Sequence, residues 1–283
     1  MLSLLSNLRL FPKSKLWNPT WVTNYSEVKE QFRTGDVILA DGDYKGAKLI
    51  DFLQQNHWGH AALILLKKDI APHVEVDIST WPDLLLWESN ALIANSARNF
   101  WGPAKYQKVK EGPMLISLEE RLKHTANNFD KVAIAYRPLH LKDELRKQLA
   151  FDLLPGHFDT FIDRKFPDNK EIIHDVYMGR KYNKSINYKD GDLNLSLLFK
   201  RRLVIETDIR RRKKIRNYLS IDPQEKDRIY CTELMAHTYK LLGLLTNHHV
   251  SNCYTPKDFS DDGEMRLLQD AWLGNEILID MNK

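Results

Sequence analysis

Arg228-Ile229-Tyr230-Cys231-Thr232-Glu233-Leu234-Met235-Ala236-His237-Thr238-Tyr239-Lys240-Leu241-Leu242-Gly243 holds one of the chain's two cysteines. After Cys231 the apolar residues recur at helical spacing. Leu234, Ala236, His237, Leu241 and Leu242 lie close to one stripe, and Gly243 is the stop. The pattern puts Cys231 at or just before a helix N-terminus. Unpaired N–H groups and the positive end of the helix dipole favour an anion there, so a thiol ionises more readily. The thiolate is the form that attacks carbon. A cysteine heading a core helix can equally be a small, inert hydrophobe. The chemical reading therefore needs a base within reach and a group to orient that base.

Ten histidines make the presence of a histidine uninformative, but His60 is well placed. Gly59 before it permits close backbone approach, and Ala61-Ala62-Leu63-Ile64-Leu65-Leu66 after it reads as a buried strand. His57 is the nearest rival and falls in the preceding turn. Upstream, Thr34-Gly35-Asp36 is a turn into the strand Val37–Ala40, and 46–55 reads as a helix. Val74–Ile78 alternates like a strand, and Leu84–Glu88 is apolar and ends on an acid. Met114–Ile116 and Lys131–Tyr136 read as strands. Ser117-Leu118-Glu119-Glu120 reads as a capped helix start. A helix is expected over Lys142–Leu154, stopped by Pro155-Gly156. Residues 157–227 are polar and irregular. Thr255-Pro256 opens a helical turn and Glu276–Asp280 is a last strand. Strands in the middle with helices before, between and after predict an α+β fold with a mainly antiparallel sheet.

The composition bounds what the chain can be. Its 283 residues are 43% hydrophobic and 28% charged, ordinary values for a globular protein with a sizeable core. A formal net charge of +4 points to neither nucleic acid nor membrane. Two cysteines form no disulfide framework, so a reducing compartment, the cytoplasm, is the default. No run of eighteen apolar residues occurs, so no transmembrane helix is expected. Residues 1–33 read as an N-terminal arm. Its opening carries Arg9, Lys13 and Lys15 with no acid before Glu27, which makes a mitochondrial targeting segment the alternative.

In this order, Thr34-Gly35-Asp36-Val37-Ile38-Leu39, Trp58-Gly59-His60-Ala61-Ala62-Leu63-Ile64, Trp87-Glu88-Ser89, Gly112–Glu120, Tyr230-Cys231-Thr232-Glu233-Leu234 and Thr255-Pro256-Lys257-Asp258-Phe259 resemble the YiiX-like cysteine peptidases. These belong to the circularly permuted NlpC/P60 (papain-like) group. No one motif is specific; their order from about 34 to 260 is. The resemblance implies a permuted papain-like domain over 34–283 with an insertion at about 157–227. It implies Cys231 as nucleophile, His60 as base and Glu88 as the orienting acid, and makes Trp58 and Tyr230 the expected substrate-binding residues. Glu75 and Asp77 are alternatives to Glu88 if Val74–Ile78 is the strand beside His60. Thr232 stands where the family usually has Ser and keeps a capping hydroxyl.

The implied reaction is thiol hydrolysis of an amide or isopeptide bond, or of an ester or thioester, with no cofactor. Two other readings stand beside it: a lipid-directed acyltransferase or thioesterase of the same fold, and a catalytically idle subunit of a larger assembly. Substrates would be a peptide, an isopeptide or an acyl lipid. Arg210–Arg216 in the insertion is a solvated helix face or a contact for an anionic partner. Cys253 is read as structural. It and His248-His249 lack the paired close spacing of zinc ligands, so no metal is expected.

Overall fold

Alternate residues of His60–Leu66 enter opposite layers of the molecule. Ala61, Leu63 and Leu65 join one buried cluster, while Ala62 and Ile64 join another. A strand apolar on both sides must be covered on both sides, and this requirement sets the architecture. The computed structural model describes residues 22–41, 56, 58–90, 98–102, 111–128, 133–187, 227–263 and 265–281.

Among these, the strands are β1 (Val22–Asn24), β2 (Val37–Ala40), β3 (His60–Leu66), β4 (Leu84–Asn90), β5 (Gly112–Ser117), β6 (Ile134–Arg137), β7 (Leu139–His140), β8 (Trp272–Leu273) and β9 (Ile277–Asp280). Seven form one sheet in the order β1-β9-β6-β2-β3-β4-β5, antiparallel except for the β1–β9 pair. β7 and β8 form a separate two-stranded ribbon. The longer helices are α1 (Leu118–Asn128), α2 (Leu154–Phe161), α3 (Asn169–Asn187) and α4 (Cys231–Leu241).

The sheet is packed on both faces. On one, Val37, Leu39, Leu63, Leu85, Trp87 and Leu115 meet Leu234, Met235 and Tyr239 of α4, Phe158 of α2 and Phe259. On the other, Ile38, Ile64, Leu86 and Ile116 meet Leu118 and Leu122 of α1 and Tyr25, Val28 and Phe32. Each fully buried leucine here contributes roughly 1.5–3 kcal/mol. The fold is thus α+β with a mostly antiparallel sheet against several helices. No helix of the described residues is long and apolar enough to cross a membrane.

The Gly-Asp strand start has a physical reason. Gly35 takes φ +100°, and a Cβ there would lie 2.6 Å from Leu139 Cδ2. Asp36, fully buried, accepts from the backbone N–H groups of Arg33 and Leu139 and from the Tyr136 hydroxyl. It ties β2 to β6 and β7 at one point.

Several expectations change. Val74–Ile78 forms no strand; it follows a short 3-10 turn, Ala71–His73, and is largely exposed. The helix expected over 142–154 is a single turn, Asp143–Arg146. Pro155-Gly156 opens α2 instead of stopping a helix, because Pro in the first turn lacks only an N–H that has no partner there. Part of the irregular 157–227 stretch is the 19-residue helix α3. There Gly179 lets the backbone of Asn252-Cys253 approach within what would be Cβ contact. The described end of the arm is not separate: β1 pairs with β9, and Tyr25 and Val28 are in the core. Residues 1–21, the 46–55 helix, His57 and the basic run Arg210–Arg216 lie outside the described residues.

Candidate active site

The site lies where the sheet divides. β3 pairs with β4 only between Leu63–Leu66 and Leu84–Trp87. Beyond that, β3 continues against β2 as far as His60, while β4 continues against β5 as far as Asn90. Two strands that keep their outer partners but lose each other leave a cleft. The N-terminus of α4 enters it from the face that α4 covers.

Three contacts seat that N-terminus. The Ser89 hydroxyl on β4 donates to the Ile229 carbonyl at 2.6 Å. Lys165 exchanges backbone hydrogen bonds with Asp227 and Ile229. The Thr232 hydroxyl donates to the Tyr254 carbonyl, just before the Thr255-Pro256 turn, and so does not act as a helix cap. That turn is itself locked by reciprocal Thr255–Asp258 bonds in a capping box. Gly243, at φ +73°, ends the helix as the spacing predicts.

Cys231 is the first residue of α4 and is buried. Its sulfur lies within electrostatic reach of the His60 ring and of the N–H groups of Ala61 and Thr232. The Ala61 N–H lies in the stretch of β3 that has no β4 partner. His60 Nε2 lies 2.6 Å from Glu88 Oε2, so Nδ1 is the nitrogen left for the thiol. His60 and Glu88 each stand two residues along from a residue facing α1 (Ala62 and Leu86), so both belong to that row of their strands. The thiol reaches them through the divided sheet from the opposite layer.

The electrostatics follow from this placement. Burial alone would raise the Cys231 thiol; the hydrogen bond and charge of His60 and the two backbone N–H groups outweigh it, and the thiol is held below its ordinary range. Burial would lower His60, but Cys231 and Glu88 together raise it well above its ordinary value. Burial would raise Glu88, but the charge of Arg121 and the contacts with His60 hold its carboxyl well below the usual range. The side chain of His60 is 12% exposed and that of Glu88 only 1%, so the imidazole is the member open to solvent.

Of the expected site residues, His60 and Glu88 are in direct contact, and Cys231 is coupled electrostatically to His60. Glu75 and Asp77 are exposed and lie outside this cluster, and the Asp77 carboxylate caps the Ser79 N–H. Trp58 is fully buried and its indole donates to Glu276. Tyr230 is buried with its hydroxyl on the Asn252 carbonyl. Arg121 is the member that sequence reasoning missed. Its signal was there: a charged residue between Leu118 and Leu122, on the face of α1 that these place in the core. Cys253 is buried, accepts from the Asn183 amide at 2.9 Å, and burial pushes its thiol up to about 12. Among the described residues no cluster of side chains could hold a metal.

A cavity of about 1190 Å³ lined by Phe32, Arg33, Asp36, Tyr136, His140 and Arg146 contains none of Cys231, His60 and Glu88. It lies by the start of β2, whereas His60 pairs with the end of that strand.

No protein-family model matches this chain, and no curated protein matches it.

Proposed function

We propose that the protein is a cysteine hydrolase of the YiiX-like, permuted papain-like kind, cleaving an amide or isopeptide bond, or an ester or thioester, through an acyl-enzyme. The observation that carries this reading is an imidazole held at 2.6 Å by a buried carboxylate and coupled electrostatically to a thiol at a helix N-terminus. A structural cysteine needs none of these partners, and Cys253, with its raised thiol, has no histidine on it.

In this reading the thiolate of Cys231 attacks the carbonyl carbon, forming the C–S bond while the π pair moves to oxygen. The Cys231 backbone N–H at the head of α4 helps to hold that oxyanion. The His60 imidazolium gives its Nδ1 proton to the leaving nitrogen or oxygen as the bond to carbon breaks. Water then attacks the thioester and loses a proton to His60, and the C–S bond breaks to restore the thiolate. Glu88 holds the Nε2–H tautomer and steadies the imidazolium, as the buried Asp does in serine enzymes.

The test is labelling with a thiol-directed, activity-based electrophile at neutral pH, comparing wild type with Cys231→Ala and His60→Ala, followed by a panel of amide, isopeptide and acyl-ester substrates. Labelling should vanish in Cys231→Ala and fall sharply in His60→Ala. Labelling unaffected by either substitution retires the hydrolase reading.

A further inference from the structure

Arg121 is a buried cation that the reaction does not touch. It projects from α1, its side chain 11% exposed, with Nε 2.9 Å from Glu88 Oε1. Its Nη1 donates to the Thr125 hydroxyl at 2.7 Å, and that hydroxyl donates to the Arg121 carbonyl at 3.0 Å. The guanidinium is therefore braced by its own helix, and α1 is fixed to the sheet by Leu118 and Leu122. The two oxygens of Glu88 are divided between partners: Oε1 takes Arg121, with the Asn90 amide at a long 3.5 Å, and Oε2 takes His60. Arg121, Glu88, His60 and Cys231 form a line of alternating charge across the divided sheet.

An ion pair buried this deeply costs desolvation and is poor evidence of stability. Its geometry suits a different task. A lone buried carboxylate beside an imidazolium can relieve its desolvation by taking the imidazole proton, which leaves a neutral pair and no charged partner for the thiolate. A fixed cation on the other oxygen opposes that transfer.

We propose that Arg121 is a positioning residue for the site, acting through Glu88: it fixes the carboxylate so that Oε2 stays on His60 Nε2, and it keeps the proton on the imidazole. The proposal rests on the hydrolase reading of Cys231 and His60. The charged and titratable groups concerned are few. Glu88 faces His60 from β3 and Arg121 from α1; His60 faces Cys231 from α4; His124 lies near Arg121 on α1, and Tyr230 beside the thiol.

The experiment follows carbamidomethylation of Cys231 by iodoacetamide against pH in the full chain, read by mass spectrometry of the Cys231 peptide so that Cys253 does not contribute. Wild type should react well below the ordinary thiol range. In Arg121→Gln the acid limb should move up by about one pH unit, which lowers the rate by about tenfold at a pH below both limbs. Arg121→Lys keeps the charge but cannot reproduce both contacts of the fork, so its acid limb should stay in place while its plateau falls by about 3–10-fold. A folded Arg121→Gln whose limb does not move overturns the proposal. Should that variant fail to fold, Arg121→Lys decides, and a plateau equal to wild type overturns it. A wild-type thiol no more reactive than free cysteine overturns the hydrolase reading as well. Normal wild-type reactivity with an unmoved Arg121→Gln limb removes only the role of Arg121.

Discussion

At the scale of single residues, the site is a balance between burial and partnership. Cys231 and Cys253 are both buried, yet their thiols are displaced in opposite directions, because the His60 imidazole and the Ala61 and Thr232 N–H groups act on Cys231 alone. The thiol is lowered and His60 raised, and the ion pair exists in the pH range between the two. It forms as the thiol loses its proton, below the ordinary cysteine range, and is lost when the imidazolium deprotonates, above the ordinary histidine range. Electrophile labelling against pH should therefore begin to rise below the ordinary thiol range, and His60→Ala should move that rise to near the ordinary thiol pKa, about 8.5. Glu88→Gln keeps the shape but removes the charge between His60 and Arg121. It should slow labelling by at least about tenfold. It should also lower stability by roughly 3 kcal/mol in urea denaturation, since it leaves Arg121 as a buried cation without its counterion.

At the scale of elements, the decisive feature is the end of the β3–β4 ladder. The Ser89 hydroxyl holds the chain before Cys231 to β4. Ser89→Ala leaves a buried carbonyl without its partner and should cost about 1–3 kcal/mol, measured by urea denaturation. On the edge strand, Gly112 has φ +118°, and a Cβ there would lie 2.2 Å from the Arg164 carbonyl oxygen. Arg164 precedes Lys165, which is bridged to Arg228, three residues before the thiol. Gly112→Ala should cost at least about 2 kcal/mol through strain and overpacking, and it should slow labelling of Cys231 although it lies in another strand. Normal stability with normal labelling would show that this bracing is not needed.

At the scale of the whole molecule, the two most buried carboxylates among the described residues pull the pH dependence of folding in opposite directions. Glu88 is held below its ordinary range, so its contribution is present above that range and lost as pH falls through its folded value. Burial pushes Asp36 up to about 6, against the hydrogen bonds from Leu139, Arg33 and Tyr136. The folded chain holds the Asp36 proton more tightly than the unfolded one. Its contribution therefore favours the fold below the ordinary Asp range and is lost as pH rises through about 6. Asp36→Asn removes this titration. Its Tm relative to wild type should rise between pH 4 and pH 7, by about 2–4 °C for each kcal/mol in a chain of this size. A constant difference across that range would remove Asp36 from the pH dependence.

Local pattern was enough for the elements with a strong period or a covalent signature. The apolar run after His60 reads as a buried strand, and it is β3. Gly243 had to end a helix that begins at Cys231, and Ser117 had to cap α1, where its hydroxyl accepts the Glu120 N–H. The pairing of Cys231 with His60 across 171 positions came from ordered motifs, not from any periodicity. What no window of residues contained was the choice among acids. Glu75, Asp77 and Glu88 are alike in one dimension, and Glu88 stands out only because β4 turns it toward α1 and away from water. The burial of Trp58 and Tyr230 was likewise set by tertiary packing, and Arg121 acquires its meaning from a carboxylate on another element 33 positions away. A side chain's partner across the molecule depends on which face of which strand carries it and on where a ladder stops, and both are properties of the assembled sheet.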